Sequence, residues 1–183
     1  MRRFFLPVLL CFCLLLSACG ANAVESRYKA FSQELAERDT LSFTAALRAE
    51  YEDRAASFTL RYDRNAAGCT VTVLEPEIVA GIKARLDEGG SRLEYEGLII
   101  DTGDLGSYGL TPMSALPTLV EAMKSGHLES FWEEGGLAVM QLILDDHLSA
   151  QVSFQQETMI PVHAELVSDG KVTVVCEIEN WKS

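Results

Sequence analysis

The sequence predicts an α+β domain. One strongly curved antiparallel sheet of about ten strands, an incomplete barrel, should carry an N-terminal helix and a central helix over its concave face. Three observations lead there. From Leu41 onward, apolar residues recur with a period of two over many short runs. Only two stretches show helical spacing instead. Glycine-containing turns separate the short runs closely enough to make hairpins, and consecutive hairpins form a single curved sheet.

In chain order, residues 1–18 read as a lipoprotein signal peptide. Arg2 and Arg3 precede an apolar run from Phe4 to Leu16, too short to cross a bilayer, and "LSAC" closes it. That tetrapeptide resembles the bacterial lipobox, which implies that Cys19 receives a diacylglyceryl thioether, gains further acyl chains such as palmitate, and becomes the mature N-terminus. Residues 19–24 are then the lipidated N-terminus and a short spacer, and residues 25–183 form one domain. Loss of Arg2 and Arg3 with the signal leaves 13 basic against 27 acidic residues, a formal charge of −14. Such a body repels nucleic acid and anionic lipid alike, so it has no nucleic-acid partner and its membrane tether must be the lipid itself. The expected location is extracytoplasmic, on the cell membrane. Cys11 and Cys13 leave with the signal, so Cys69 and Cys176 remain, either as a disulfide or as two buried thiols.

In "VESRYKAFSQELAERD", Tyr28, Phe31 and Leu35 share one helical face. "SFTAALRAEYE" alternates Phe43, Ala45, Leu47, Ala49 and Tyr51 with polar residues, and "SFTLRYD" does the same with Phe58, Leu60 and Tyr62. "CTVTVLEP", "GIKARLD" and "RLEYE" continue the device through Leu93 and Tyr95. "GLTPMSALPTLVEAMKSG" returns to helical spacing, with Leu116, Leu119, Val120 and Met123, an end near Gly126, and Pro117 in its first turn. Five further strands follow, among them those bearing Met140, Leu142, Phe154, Leu166 and Ile178, with Gly135-Gly136 and Asp169-Gly170 as hairpin turns. One dry and one wet face per strand is the signature of an antiparallel sheet that needs a cover.

Catalytic readings fail on the residues. "GLIIDTGDLG" resembles an aspartic-protease strand, yet the chain has a single Asp-Thr-Gly, and Asp101 lacks the second carboxylate with which it would share a proton. A strand ending in an Asp-initiated turn, with Gly103 supplying the left-handed backbone, accounts for it. Asp145, Asp146 and His147 are adjacent and so point to alternate faces, and Cys69 and Cys176 lack a CxxC partner. No metal, no cofactor and no enzyme activity are expected.

Helix, strands with "TVTVLEPEIVAGIKARL", then "RLEYEGLIIDTGDL", a helix and a meander: this order resembles the LolA/LolB-like lipoprotein carrier superfamily. Within it, the chain is most similar to small Firmicutes-type lipoproteins, GerS-like germination lipoproteins among them. The resemblance implies an open barrel with helices as a lid over an apolar cavity. Phe43, Leu47, Tyr51, Phe58, Leu60, Leu93, Tyr95, Leu119, Met123, Met140, Leu142 and Phe154 are the cavity candidates. Two non-catalytic functions follow: holding a lipid or other apolar ligand, with an acyl chain as the expected guest, or serving as an adaptor or activator of an envelope or spore cell-wall enzyme. Two aromatic features outside the cavity, Tyr108 with Leu110 and Phe131 with Trp132, could anchor a protein partner.

Overall fold

The structure is a computed structural model that describes residues 18–50, 55–87, 89–103 and 110–183. Eleven strands form one open antiparallel sheet in the order β6-β5-β4-β3-β2-β1-β11-β10-β9-β8-β7. The first half comprises β1 (Leu41–Glu50), β2 (Ala55–Asn65), β3 (Gly68–Glu75), β4 (Lys83–Asp87), β5 (Gly90–Tyr95) and β6 (Leu98–Gly103). The second half comprises β7 (His127–Glu134), β8 (Leu137–Ile143), β9 (Leu148–Gln155), β10 (Pro161–Ser168) and β11 (Lys171–Lys182). Each half is a meander, and pairing of β1 with β11 joins them at the centre of the sheet. This is the predicted α+β open sheet, with one strand more than the ten expected.

Alternation places the same face inward on every strand. One row of paired residues crosses the sheet as Phe131, Met140, Val152, Ala164, Cys176, Leu47 and Phe58. Helix α1 (Ala18–Glu37) and helix α2 (Pro112–Ser125) pack over this concave face and against each other. Tyr28 and Phe31 of α1 meet the Phe154 ring edge-on, with centroids 5.8 and 5.3 Å away. Phe43 stacks between Tyr62 and Trp181 at 5.1 and 5.0 Å. Leu116, Leu119 and Met123 of α2 are fully buried on the same cluster.

Both helix boundaries differ from the sequence reading. The residues expected to form a spacer are helical, because α1 starts at Ala18. Ala21 and Ala23 favour a helix, and Val24 adds a buried anchor to its inner face. Helix α2 opens with Pro112, behind an N-cap in which Thr111 and Ser114 satisfy each other's backbone N–H groups. Pro117 therefore lies in the second turn, beyond the tolerated first one.

Hydrogen bonds at its middle and its C-terminal end fix α1 in place. The Arg27 guanidinium donates to the Gln156 carbonyl at 2.7 Å, and Ser32 Oγ donates to the Lys124 carbonyl at the end of α2 at 2.9 Å. At its C-terminal end, Arg64 Nη2 reaches up from β2 and donates to the carbonyls of Leu35 and Arg38, at 2.8 and 2.9 Å. These are orphan acceptors of the last helical turn, and a cation there also complements the helix dipole. Arg64→Met should cost about 2 kcal/mol, since hydrogen bonds from a charged donor contribute more than neutral ones. Urea denaturation would show it as a lower midpoint with unchanged slope; an unchanged midpoint would show that the two bonds hold nothing.

Candidate functional site

The cavity candidates divide into two groups. Phe43, Leu47, Leu60, Leu119, Met123, Met140, Leu142 and Phe154 are all buried, and with α1 and α2 they form one packed cluster. The helices pack against them, with Phe154 against two aromatic rings of α1. Phe58 and Leu93 are half-buried, and Tyr95 is exposed. Tyr51 lies outside the described residues, as does Tyr108.

A second row of paired residues shows where the cover stops. It runs outward from the centre through Phe43, Tyr62, Val71, Ala84, Leu93 and Ile100. The first four are buried, Leu93 is half-buried, and Ile100 is 52% exposed. Tyr95 and Leu98 lie on the same concave side and are 40% and 63% exposed. The wing formed by β4, β5 and β6 is thus buried at Ala84, half-buried at Leu93, and apolar and exposed on its concave side at Tyr95, Leu98 and Ile100. Sequence reasoning placed Leu93 and Tyr95 among the site residues but missed Leu98 and Ile100. The signal was there in "LII", two apolar faces on one strand.

Between this wing and α2 lies an opening of about 1000 Å³, lined by Tyr62, Arg64, Cys69 and Leu86 on the sheet side and Val120 and Glu121 on the helix side. It is polar at its mouth. Burial pushes the Tyr62 hydroxyl well above its ordinary range, and the neighbouring Cys69 adds to the effect. The Glu121 carboxyl is held below the usual range, chiefly by the Ser125 hydroxyl and then by Lys124. Arg64 Nε is buried with no hydrogen-bond partner among the described residues. A separate groove of about 780 Å³ runs over the outer face of the sheet, between Ala46, Arg48 and Val175 and the β3–β4 connection at Pro76 and Ala80.

The two cysteines are free. Both face inward, but β3 and β11 are three strands apart. At ~4.8 Å per strand that leaves roughly 14 Å, twice the reach of a disulfide. The expected option of a Cys69–Cys176 bond is therefore excluded by topology. Burial raises both thiols, Cys69 in direction and Cys176 up to about 12.

No protein-family profile matches the chain, and no curated protein is significantly similar to it in sequence. Solved structures are similar. A candidate outer membrane lipoprotein-sorting protein domain from Vibrio parahaemolyticus matches with TM-score 0.50 and 10% identity, over 85% of this chain and 90% of its own. An uncharacterized conserved protein from Thermus thermophilus matches with TM-score 0.52 and 10% identity, over 86% of each chain. A LolA superfamily protein from Nitrosomonas europaea has TM-score 0.47 and 14% identity, over 84% of this chain and 92% of its own. The fold is that of the lipoprotein-sorting protein domain from Vibrio parahaemolyticus. The concave face of this sheet has a helix-covered half with a packed cluster and a wing that is exposed at Tyr95, Leu98 and Ile100.

Other residues singled out from the sequence lie away from the wing's concave face. Asp101 is an exposed residue of β6 whose Oδ1 accepts the Gly103 N–H at 3.2 Å, the turn expected of it. Asp145 closes a turn by accepting the N–H groups of His147 and Leu148, at 2.8 and 2.9 Å. His147 Nδ1 sits 2.8 Å from Asp169 Oδ1 at the surface, and His163 Nδ1 sits 2.9 Å from Glu177 Oε1. His127, Phe131 and Trp132 belong to β7, at the opposite end of the sheet from the wing.

Proposed function

We propose that this LolA-like protein is an extracytoplasmic lipoprotein, anchored to the cell membrane through lipidated Cys19, that works without catalysis as an adaptor holding an envelope protein on its uncovered wing. The concave strip of Tyr95, Leu98 and Ile100, exposed beside the half-buried Leu93, carries this reading, next to a packed cluster beneath the helices. A broad apolar surface rimmed by polar groups is what a protein partner buries, with Tyr95 as the aromatic anchor. The strongly acidic body would steer basic partners toward it.

A second reading is favoured by one observation, the unpartnered Arg64 Nε in the 1000 Å³ opening. There an apolar ligand with an anionic head, such as a fatty acid, would place its carboxylate near Arg64 and Lys124 and its chain along Leu86 and the wing.

Photo-crosslinking from position 93 or 95 of the membrane-anchored protein separates the two. The adaptor reading expects one heterologous protein adduct, lost in the Tyr95→Lys variant while membrane location and melting stay unchanged. No protein adduct, together with a native mass spectrum carrying a fatty-acid increment that vanishes in Arg64→Met, would replace the adaptor with the ligand carrier.

A further inference from the structure

The two edges of the sheet are built differently. The β7 edge carries Glu129, Glu133 and Glu134 along its length, charges that deter another strand from pairing there. The β6 edge (Leu98–Gly103) carries one charge, Asp101, and none from Leu98 to Ile100. Its residues Leu98, Ile99 and Ile100 are 63%, 64% and 52% exposed, so both faces of the terminal strand are apolar.

The backbone of that edge is also oriented for pairing. Glu96 and Gly97 form a two-residue turn with φ of 49° and 83°, which makes Tyr95 and Leu98 the first hydrogen-bonded pair of the hairpin. Alternation then directs the N–H and C=O groups of Leu98 and Ile100 toward β5 and those of Ile99 and Asp101 outward.

We infer that β6 pairs antiparallel with β6 of a second copy of this chain, about a two-fold axis at Ile99. In that register Ile99 exchanges hydrogen bonds with its counterpart, and Leu98 lies opposite the other copy's Ile100. Asp101 lies opposite Gly97, so no like charges face each other. The next register that keeps the hydrogen bonds sets Asp101 against Ile99, burying a carboxylate beside an apolar side chain. The sequence around the edge is therefore self-complementary at one register. Because an isologous contact uses the same patch twice, each copy satisfies the other's open edge and the assembly stops at two.

Pairing also completes the site. Leu98 and Ile100 are on the concave side, so the two wings join into one apolar trough to which each copy contributes Leu93, Tyr95, Leu98 and Ile100. This rests on the reading of the wing as the working surface. The pairing segment is short, and tethering in one membrane would supply the local concentration that a short interface needs.

The test uses the full lipidated protein in its membrane with the photo-crosslinking residue p-benzoylphenylalanine at position 99. The expected product is a covalent homodimer whose crosslinked peptide contains residues 97–101 of the other copy. Adding Ile100→Lys should lower its yield at least ~10-fold, because in both symmetric contacts a lysine would then lie opposite the other copy's Leu98 in place of an apolar partner. Ile100 is exposed, so melting should not change. Position 98 serves as a second probe if substitution at 99 perturbs folding. No homodimer at either position, a crosslink mapping outside β6, a heterologous adduct in its place, or a yield indifferent to Ile100→Lys each overturns the pairing. Loss of the homodimer with the position-93 adduct intact would leave the adaptor reading standing, and the converse would remove the adaptor alone.

Discussion

Cys19→Ala should move the protein out of the membrane fraction. The expected change in the membrane-to-soluble ratio is about tenfold or more, because each buried methylene of a lipid anchor contributes ~0.8 kcal/mol and two or three chains together hold a protein firmly. Among the described residues no helix is long and apolar enough to cross a bilayer. With the proposed signal segment removed, the body would carry a formal charge of −14 and be repelled by anionic headgroups. Fractionation, with a mass spectrum of the mature N-terminus showing the diacylglyceryl increment, checks both halves of the claim. Retention of the alanine variant would place the anchor elsewhere.

Phe154→Ala should be the most damaging of the core substitutions, costing roughly 3–5 kcal/mol. The ring is fully buried and makes edge-on contacts with Tyr28 and Phe31 of α1, so its removal leaves a void between helix and sheet. Against a total stability of about 5–15 kcal/mol, that is enough to bring the domain near unfolding. Leu98→Ala, on the exposed wing, should change stability by less than about 0.5 kcal/mol. Chemical denaturation of the two variants side by side measures the contrast. A loss below about 1 kcal/mol for Phe154→Ala would mean that the interior has slack, and the ligand-carrier reading would regain its cavity.

Much of the architecture could be read from the sequence because alternation is local. Phe43, Ala45 and Leu47 had to share a face whatever the rest of the chain did, and all three are buried. What a local pattern does not encode is strand order. "CTVTV" and "GLII" are similar apolar runs, yet Val71 and Val73 sit beneath the helices while Ile99 and Ile100 sit at the edge. The separation of Cys69 from Cys176 was hidden for the same reason, since it depends on which strands lie between them. Cavity or core was a question of fit. Met140 and Phe154 carry the same inward signal in either case, and only the closeness of α1 and α2 decides it. Arg64 was missed because an arginine at the end of a strand reads as a solvated charge until a helix end is seen above it.

The seam between β1 and β11 has a consequence for how the molecule is made. Ala45 is paired with Ile178 and Leu47 with Cys176, so the middle of the sheet joins segments more than a hundred residues apart. Each flanking meander can zip locally, but no stretch shorter than Ala49 to Val174 contains even one residue pair of the seam. A chain emerging in order must keep two half-sheets, each with an open oily face, from associating wrongly until its last strand arrives. Such late, long-range closure is slow, and the growing chain would be exposed to aggregation until it is complete.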